Sequence, residues 1–384
     1  MDALKDPSFN MIGLYGMGGT GKTTLASEVE RQARDAKLFD VVVMVTVSEK
    51  PQIRKIQGKI ADVMGMKLEE ETVDGRAYRL HQKLKGKEKI LVILDNLWAA
   101  IELKAIGIPS GDEHKGCKIL LTSRNLDVLT SGMGAQKFFK LEPLSEAEAW
   151  KLFQITVGNS NTQKMPSLAT EVASKCVGIP LAIVTVAKAL RNKELHAWKD
   201  ALKQLSMTSR FDNTGMQAEV YAALELSFDQ LLGEEVKLLL LLLPLYLDSS
   251  INIECLLRYG VGMGLFGGMD SIEDARNRLL KLIDDLKASC FLQDDDEDGW
   301  VKMHEFVQAF AMSIASRAQN AAVVKTGFGL KEFVERHIPN CCTRLSLLLS
   351  DIYDLPEDLE CPELDFLLVE AFMPCVWIDV SCPT

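Results

Sequence analysis

The chain has 384 residues, 47% of them hydrophobic and 25% charged, with a net charge of −11. That is the composition of a globular protein with room for roughly two to four cores. The acidic balance argues against a partner held by a broad basic surface, such as nucleic acid or an anionic membrane. The nine cysteines form no C-x-x-C pair and no Cys/His zinc spacing, so they read as reduced, buried thiols.

In chain order, the polar start at Met1–Pro7 does not read as a secretory signal. Phe9–Tyr15 is a short apolar run, predicted as a strand. It enters Gly16-Met17-Gly18-Gly19-Thr20-Gly21-Lys22-Thr23-Thr24, which is G-x-x-x-x-G-K-T, the phosphate-binding P-loop. Gly16, Gly18, Gly19 and Gly21 let the backbone turn tightly and aim its N–H groups at an anion. Lys22 supplies a mobile charge for phosphate and Thr23 a hydroxyl for Mg²⁺. Thr20 and Thr24 belong to the same loop. Leu25, Ala26, Val29 and Ala33 then recur at helical spacing, so a helix dipole points at the loop.

Val41–Val47 is a continuous β-branched run, as expected for a strand buried on both faces of a parallel sheet. Helices are predicted over Ile53–Met64 and Arg76–Leu84. Lys89–Trp98 is an apolar strand that reaches Asp95, and a carboxylate there is placed to complete a Mg²⁺ shell. The next strand, Lys118–Leu121, runs into Thr122-Ser123-Arg124 at the end that faces the ligand crevice of an open α/β sheet. On the residues alone, Arg124 is either a γ-phosphate contact or a surface loop arginine.

The alternation then stops. Ser145 and Glu148 form a capping box, with Ala149, Trp150 and Phe153 behind it. A helix over Ser167–Val177 stops at Gly178, and Pro180 suits the first position of the next. Further helices are predicted to Ala288, then short strands at Ser289–Leu292 and Trp300–Met303, and a helix carrying Phe306 and Phe310. Helices followed by a hairpin suggest a winged helix. The acidic run Asp294–Asp298 and the base-free stretch Glu305–Ala311 argue against nucleic acid as its ligand. The apolar run Leu238–Leu247 is too short to span a bilayer and contains Pro244, so no transmembrane segment is expected. Residues 319–342 carry little pattern. Leu345, Leu347, Ile352, Leu355, Leu359, Cys361, Leu364 and Phe366 then resemble the start of leucine-rich repeats. The expected fold class is an α/β P-loop NTPase domain with a doubly wound parallel sheet (1–141). A small helical domain (142–215), a winged-helix domain (216–318) and a linker with the start of leucine-rich repeats (319–384) are expected after it.

Taken together, the motifs resemble the NB-ARC module of plant coiled-coil-type nucleotide-binding leucine-rich-repeat disease resistance proteins, which are STAND P-loop NTPases. The matching pieces run in family order: Gly16–Thr24, Phe39–Val47, Leu94–Trp98, Gly116–Arg124, Leu144–Phe153, Gly178–Ala182 and Met303-His304-Glu305. The resemblance implies an ADP/ATP switch, closed with ADP and opened by exchange for ATP, with slow hydrolysis and Mg²⁺ as cofactor. It implies that Lys22 binds the β-phosphate, that Thr23 and Asp95 hold Mg²⁺, and that Arg124 senses the γ-phosphate. Pro180 is implied near the adenine, and His304 on the β-phosphate of ADP; without the resemblance His304 reads as an ordinary solvated or core histidine. The expected partners are the nucleotide and, by self-association or association with intact receptors, other immune proteins. A pathogen effector or guarded host protein is unidentified. A cytoplasmic location is implied, with peripheral plasma-membrane association as a variant.

Two positions depart from the family pattern. Asn96 stands where a second Asp is usual, and a carboxamide is a poor general base, so weakened hydrolysis is expected at the catalytic pair Asp95 and Asn96. Glu305 replaces an Asp and is expected to loosen the ADP-closed state. The family's coiled coil, its adenine-wrapping linker and most of its repeats are not among these residues, so a truncated form is expected. The competing readings are a scaffold or decoy that binds no nucleotide, a winged-helix transcription factor, and a P-loop kinase, which Asn96 disfavours.

Overall fold

The computed structural model describes residues 1–48, 51–111, 114, 116–158, 165–206, 217–245, 250–269, 271–295, 297–317, 322–326, 344–349 and 366–371. They fall into two compact units, Met1–Val184 and Thr185–Thr384.

The first unit is organised around five mutually parallel strands in the order β2-β3-β4-β1-β5. These are β1 (Met11–Tyr15), β2 (Val41–Thr46), β3 (Ile90–Leu97), β4 (Cys117–Ser123) and β5 (Lys137–Lys140). Alternate residues of the apolar strands feed two cores, one on each face. Val43, Val45, Ile90, Val92, Leu94 and Leu121 pack with Ile56, Ile60, Leu80, Leu84 and Ile106. Those last residues come from helices α3 (Ile53–Val63), α4 (Val73–Lys85) and α5 (Leu103–Ile106). On the other face Ile12, Val42, Leu91, Ile93 and Leu120 pack with Leu4 of α1 (Asp2–Lys5) and with Ala26 and Ala33 of α2 (Lys22–Asp35). The sheet is thus doubly wound, as expected. The polar start of the chain is tied into it: buried Lys118 donates to the carbonyls of Asp6, at 2.6 Å, and Phe9.

The capping box opens α6 (Glu146–Val157) with both reciprocal bonds made. The α7 helix (Pro166–Ser174) ends before Val177 (φ 47) and Gly178 (φ 70). A methyl on Gly178 would meet the Leu144 carbonyl oxygen at 2.3 Å, so glycine is required there sterically as well. Pro180 then starts α8 (Pro180–Leu190), as predicted.

The second unit contains α9 (Leu195–Ser206), α10 (Gln217–Asp229) and α11 (Glu234–Leu242). After them come β6 (Ser250–Asn252), α12 (Ile253–Gly262), α13 (Ile272–Ala288), β7 (Gln293–Asp294), β8 (Trp300–Lys302) and α14 (Glu305–Arg317). The three short strands form an antiparallel sheet, order β6-β8-β7. The expected strand at Ser289–Leu292 is corrected. Those residues end α13 in a Schellman turn, with Phe291 N–H on Leu286 O at 2.9 Å and Cys290 N–H on Lys287 O at 3.2 Å. Cys290 takes the left-handed position (φ 66), and Phe291 and Leu292 are buried, so pairing begins only at Gln293. Phe310 packs among Tyr221, Phe228 and Phe291. The Leu238 run is helical to Leu242 and continues as a 3₁₀ turn over Leu243–Leu245. Among the described residues no helix is long and apolar enough to cross a membrane.

Strands β9 (Ala322–Thr326), β10 (Arg344–Leu349) and β11 (Phe366–Ala371) form a parallel sheet. Paired residues lie 23 apart (Ala322 to Leu345) and 22 apart (Arg344 to Phe366). The stretch expected to be a patternless linker therefore contains a strand. Ile352, Leu355, Leu359, Cys361 and Leu364 lie outside the described residues, as do Cys341, Cys342, Cys375 and Cys382. Cys117 and Cys176 are buried free thiols whose pKa burial pushes up to about 12.

Candidate nucleotide-binding site

Strand β1 delivers the chain into the glycine loop, and local sterics dictate the loop's composition. A Cβ on Gly16 would lie 2.4 Å from the Leu141 carbonyl oxygen. Gly19 (φ 75) and Gly21 (φ 93) hold conformations that L side chains rarely adopt. Gly18 lies between Gly16 and Gly19 in the same loop. Gly21 also caps α2 without a side chain, and no acidic residue occupies the first turn. The leading N–H groups of the helix are not spent on a side-chain cap, and this suits an anion. Thr23 and Thr24 are exposed on that first turn.

Lys22 folds back over the loop and donates to Gly16 O at 2.9 Å and Met17 O at 2.7 Å. Thr20 closes the same turn through Met17 O at 2.8 Å. Burial lowers the Lys22 pKa to about 8, and the charge of Arg124 adds to the effect while Asp95 opposes it. A desolvated cation over a glycine cradle fits a polyanion such as an oligophosphate, which would restore its lost solvation.

Asp95 is only 1% exposed. Thr23 Oγ1 donates to its Oδ2 at 2.9 Å, and Thr122 Oγ1 to its Oδ1 at 2.6 Å. The Thr122 oxygen also accepts the Asn96 N–H at 2.8 Å. Asn96 has φ 64, and here the β3–β4 register slips from Leu94↔Leu121 to Leu97↔Ser123. This is a β-bulge, at a left-handed position that asparagine tolerates. The strand expected over Lys89–Trp98 spans Ile90–Leu97, with the bulge turning Asp95 and Asn96 near its end. A carboxylate beside a threonine hydroxyl on a P-loop helix is an oxygen donor set that fits Mg²⁺.

Arg124 follows β4 directly. Its guanidinium carbon lies 5.2 Å from the centre of the Trp98 ring, and its charge is felt by Lys22. Pro180 is half-buried at the start of α8. Next to it, the Leu181 N–H donates to Gly19 O at 3.3 Å, so this helix start rests on the P-loop. The first unit thus gathers Gly16–Thr24, Asp95, Asn96, Arg124 and Pro180. His304 belongs to the second unit, where its Nδ1 accepts the Phe306 N–H at 3.2 Å and its ring stacks on Phe306. With Nδ1 an acceptor, the proton of a neutral ring sits on Nε2. Glu305 is the first residue of α14.

Two residues went unassigned from the sequence, Thr122 and Trp98. The signal for Thr122 was a polar residue ending an otherwise apolar strand. Trp98 closes the matching piece Leu94–Trp98, but its contact with Arg124 depends on strand register and carries no sequence signal.

A parallel doubly wound sheet with a P-loop, a buried carboxylate and a loop lysine at its carboxyl edge defines a P-loop NTPase-type domain. The particular family follows from comparison. Residues 1–163 match the NB-ARC domain. The chain is 32% identical to the Arabidopsis thaliana disease resistance protein RPS5 over 380 residues, 96% of this chain and 42% of that protein. It is 32% identical to the Arabidopsis disease resistance protein SUMM2 over 381 residues, again 96% and 42%. The nucleotide-binding portion is therefore an NB-ARC domain of the plant disease-resistance type, and the chain spans about two fifths of these relatives. A STAND protein with a tetratricopeptide repeat sensor from Pyrococcus horikoshii aligns at 15% identity over 81% of this chain and 41% of its own, with a TM-score of 0.48. That likeness is too slight to carry an argument.

Proposed function

We propose that the chain is the adenine-nucleotide switch of a plant immune receptor, closed with ADP, opened by exchange for ATP, and slow to hydrolyse it. The observation that carries the reading is the convergence of Lys22, Thr23, Asp95 and the Asn96 bulge on one sheet edge, with Arg124 within electrostatic reach. Lys22 would exchange its bonds to Gly16 O and Met17 O for bonds to β-phosphate oxygens. Thr23 and Asp95 would hold Mg²⁺, which supplies charge neutralisation between the phosphates when bound. Arg124 would reach the γ-phosphate, and Pro180, anchored beside the P-loop, would pack near the adenine. His304 has an Nε2–H donor that suits a β-phosphate of ADP. Asn96 offers no carboxylate to take a proton from attacking water, which is why turnover is read as slow.

The same reading takes residues 142–215 as the helical domain and 216–318 as the winged helix, supported by the antiparallel sheet and the helices around it. It takes 319–384 as the approach to leucine-rich repeats, supported by parallel strands recurring at 22 and 23 residues. Glu305, one methylene longer than the family's Asp, would loosen the ADP-closed form. Self-association or association with intact receptors, at a cytoplasmic location, would be the output. The deciding experiment is to purify the chain, denature it and identify what is released. ADP at close to one per chain supports the switch. No released nucleotide, together with no ATP or ADP binding by titration, overturns it in favour of a scaffold.

A further inference from the structure

The carboxyl ends of β3 and β4 are fastened to one another. Ser123 Oγ donates to Leu97 O at 2.7 Å, in the register that follows the Asn96 bulge. One residue beyond this pair on each strand stand Trp98 and Arg124, and that register is what lays the guanidinium over the indole. Trp98 is a large apolar side chain left 42% exposed at the rim of the site. The Arg124 charge is at the same time felt by Lys22 in the P-loop. The guanidinium thus has an aromatic face against it and lies within electrostatic reach of the P-loop lysine, where a terminal phosphate would arrive.

We infer that Trp98 is a resting partner of Arg124 and biases the preference between di- and triphosphate, an inference that rests on reading Arg124 as the γ-phosphate contact. The free protein and a diphosphate complex both keep the guanidinium on the ring. A triphosphate draws it off, so the stack is lost in that complex alone. Cation–π contacts at exposed sites correspond to roughly two- to fivefold in an equilibrium. The ring therefore holds back triphosphate binding by about that factor and leaves diphosphate binding untouched. Trp98 acts through Arg124, as a positioning residue.

The test measures affinities of the 384-residue chain for ADP and for a non-hydrolysable ATP analogue, in the native protein, Trp98→Ala, Trp98→Phe, Arg124→Ala and the Trp98→Ala/Arg124→Ala double variant. Trp98→Ala is expected to tighten the ATP analogue about threefold with ADP unchanged, and Trp98→Phe, which keeps a ring face, to do so less. With Arg124 already removed, Trp98→Ala is expected to change nothing. Weaker analogue binding in Trp98→Ala overturns the inference, because the ring would then be aiming the arginine at the phosphate. An equal change in the Arg124→Ala background overturns it too, because the ring would be acting through structure. An unchanged ratio with normal nucleotide binding sinks this inference alone, whereas no binding of either nucleotide to the native chain sinks the switch reading with it.

Discussion

The sheet edge of the first unit and the small antiparallel sheet of the second both concentrate charge, in opposite ways. At the first, one carboxylate is buried to 1% exposure and receives two hydroxyl donors, from Thr23 and Thr122. At the second, Asp294 is 85% exposed and pairs with Lys287 at 2.6 Å, while Asp295 accepts from Ser250 at 2.6 Å. The distances are alike, and the consequences are not. Solvent screens the exposed pair, whereas the buried carboxylate and the desolvated Lys22 sit in a medium that leaves their interactions strong and makes an unsatisfied state costly. Charge density by itself therefore does not mark a site; burial with specific donors does.

That contrast can be broken or sharpened by substitution. The largest effect is expected from Lys22→Ala, which removes the buried cation and should weaken ADP binding by about 100-fold or more, measured by calorimetric titration. Asn96→Asp restores a carboxylate at the base position and should raise ATP turnover by tens of fold, on the order of the smaller general-base effects; single-turnover hydrolysis reads this out, and an unchanged rate would count against Asn96 as the brake. Lys22 also predicts a pH profile. Its folded pKa of about 8 lies below lysine's ordinary 10.5, so the ammonium is lost as pH rises through 8. ADP affinity should then fall about tenfold between pH 7 and pH 9, and Lys22→Arg should flatten that fall. The sign for stability is opposite. Between pH 8 and 10.5 the unfolded chain binds the extra proton, so the ligand-free protein should gain stability with rising pH over that window. Thr122→Val, which keeps shape and deletes the hydroxyl, should raise the Mg²⁺ concentration needed for tight nucleotide binding by about fivefold, with Thr122→Ser restoring it. The smallest effect belongs to the exposed strand β7. Asp294→Asn should move the melting temperature by less than about 2 °C, and a larger drop would show that its pair with Lys287 is not screened.

Much of the first unit was legible because its signals are local. Glycine at Gly16, Gly19 and Gly21 answers steric demands within the loop and against Leu141, and the capping box closes within a single turn. The β-branched run Val41–Val47 and the apolar run before Asp95 announce strands buried on both faces without any knowledge of their neighbours. The second unit was less legible where local and tertiary preferences disagreed. Ser289–Leu292 has strand-like composition, yet burying Phe291 and Leu292 beneath a helix end turned it into a Schellman cap, with cysteine where glycine is usual. Strand β9 escaped notice because Ala322–Thr326 carries no leucine pattern and is defined by its pairing with β10.

The sequence by itself determined the P-loop, the Asp95 strand, Arg124 at the end of the next strand, and the order of the motifs. Each depends on residue type and spacing along one short segment. Only the tertiary structure decided that Thr122 holds both Asp95 and Asn96, that Asn96 sits in a left-handed bulge, and that Arg124 rests on Trp98. These contacts join strands far apart in the chain, and a slip of one residue in their register would undo all of them.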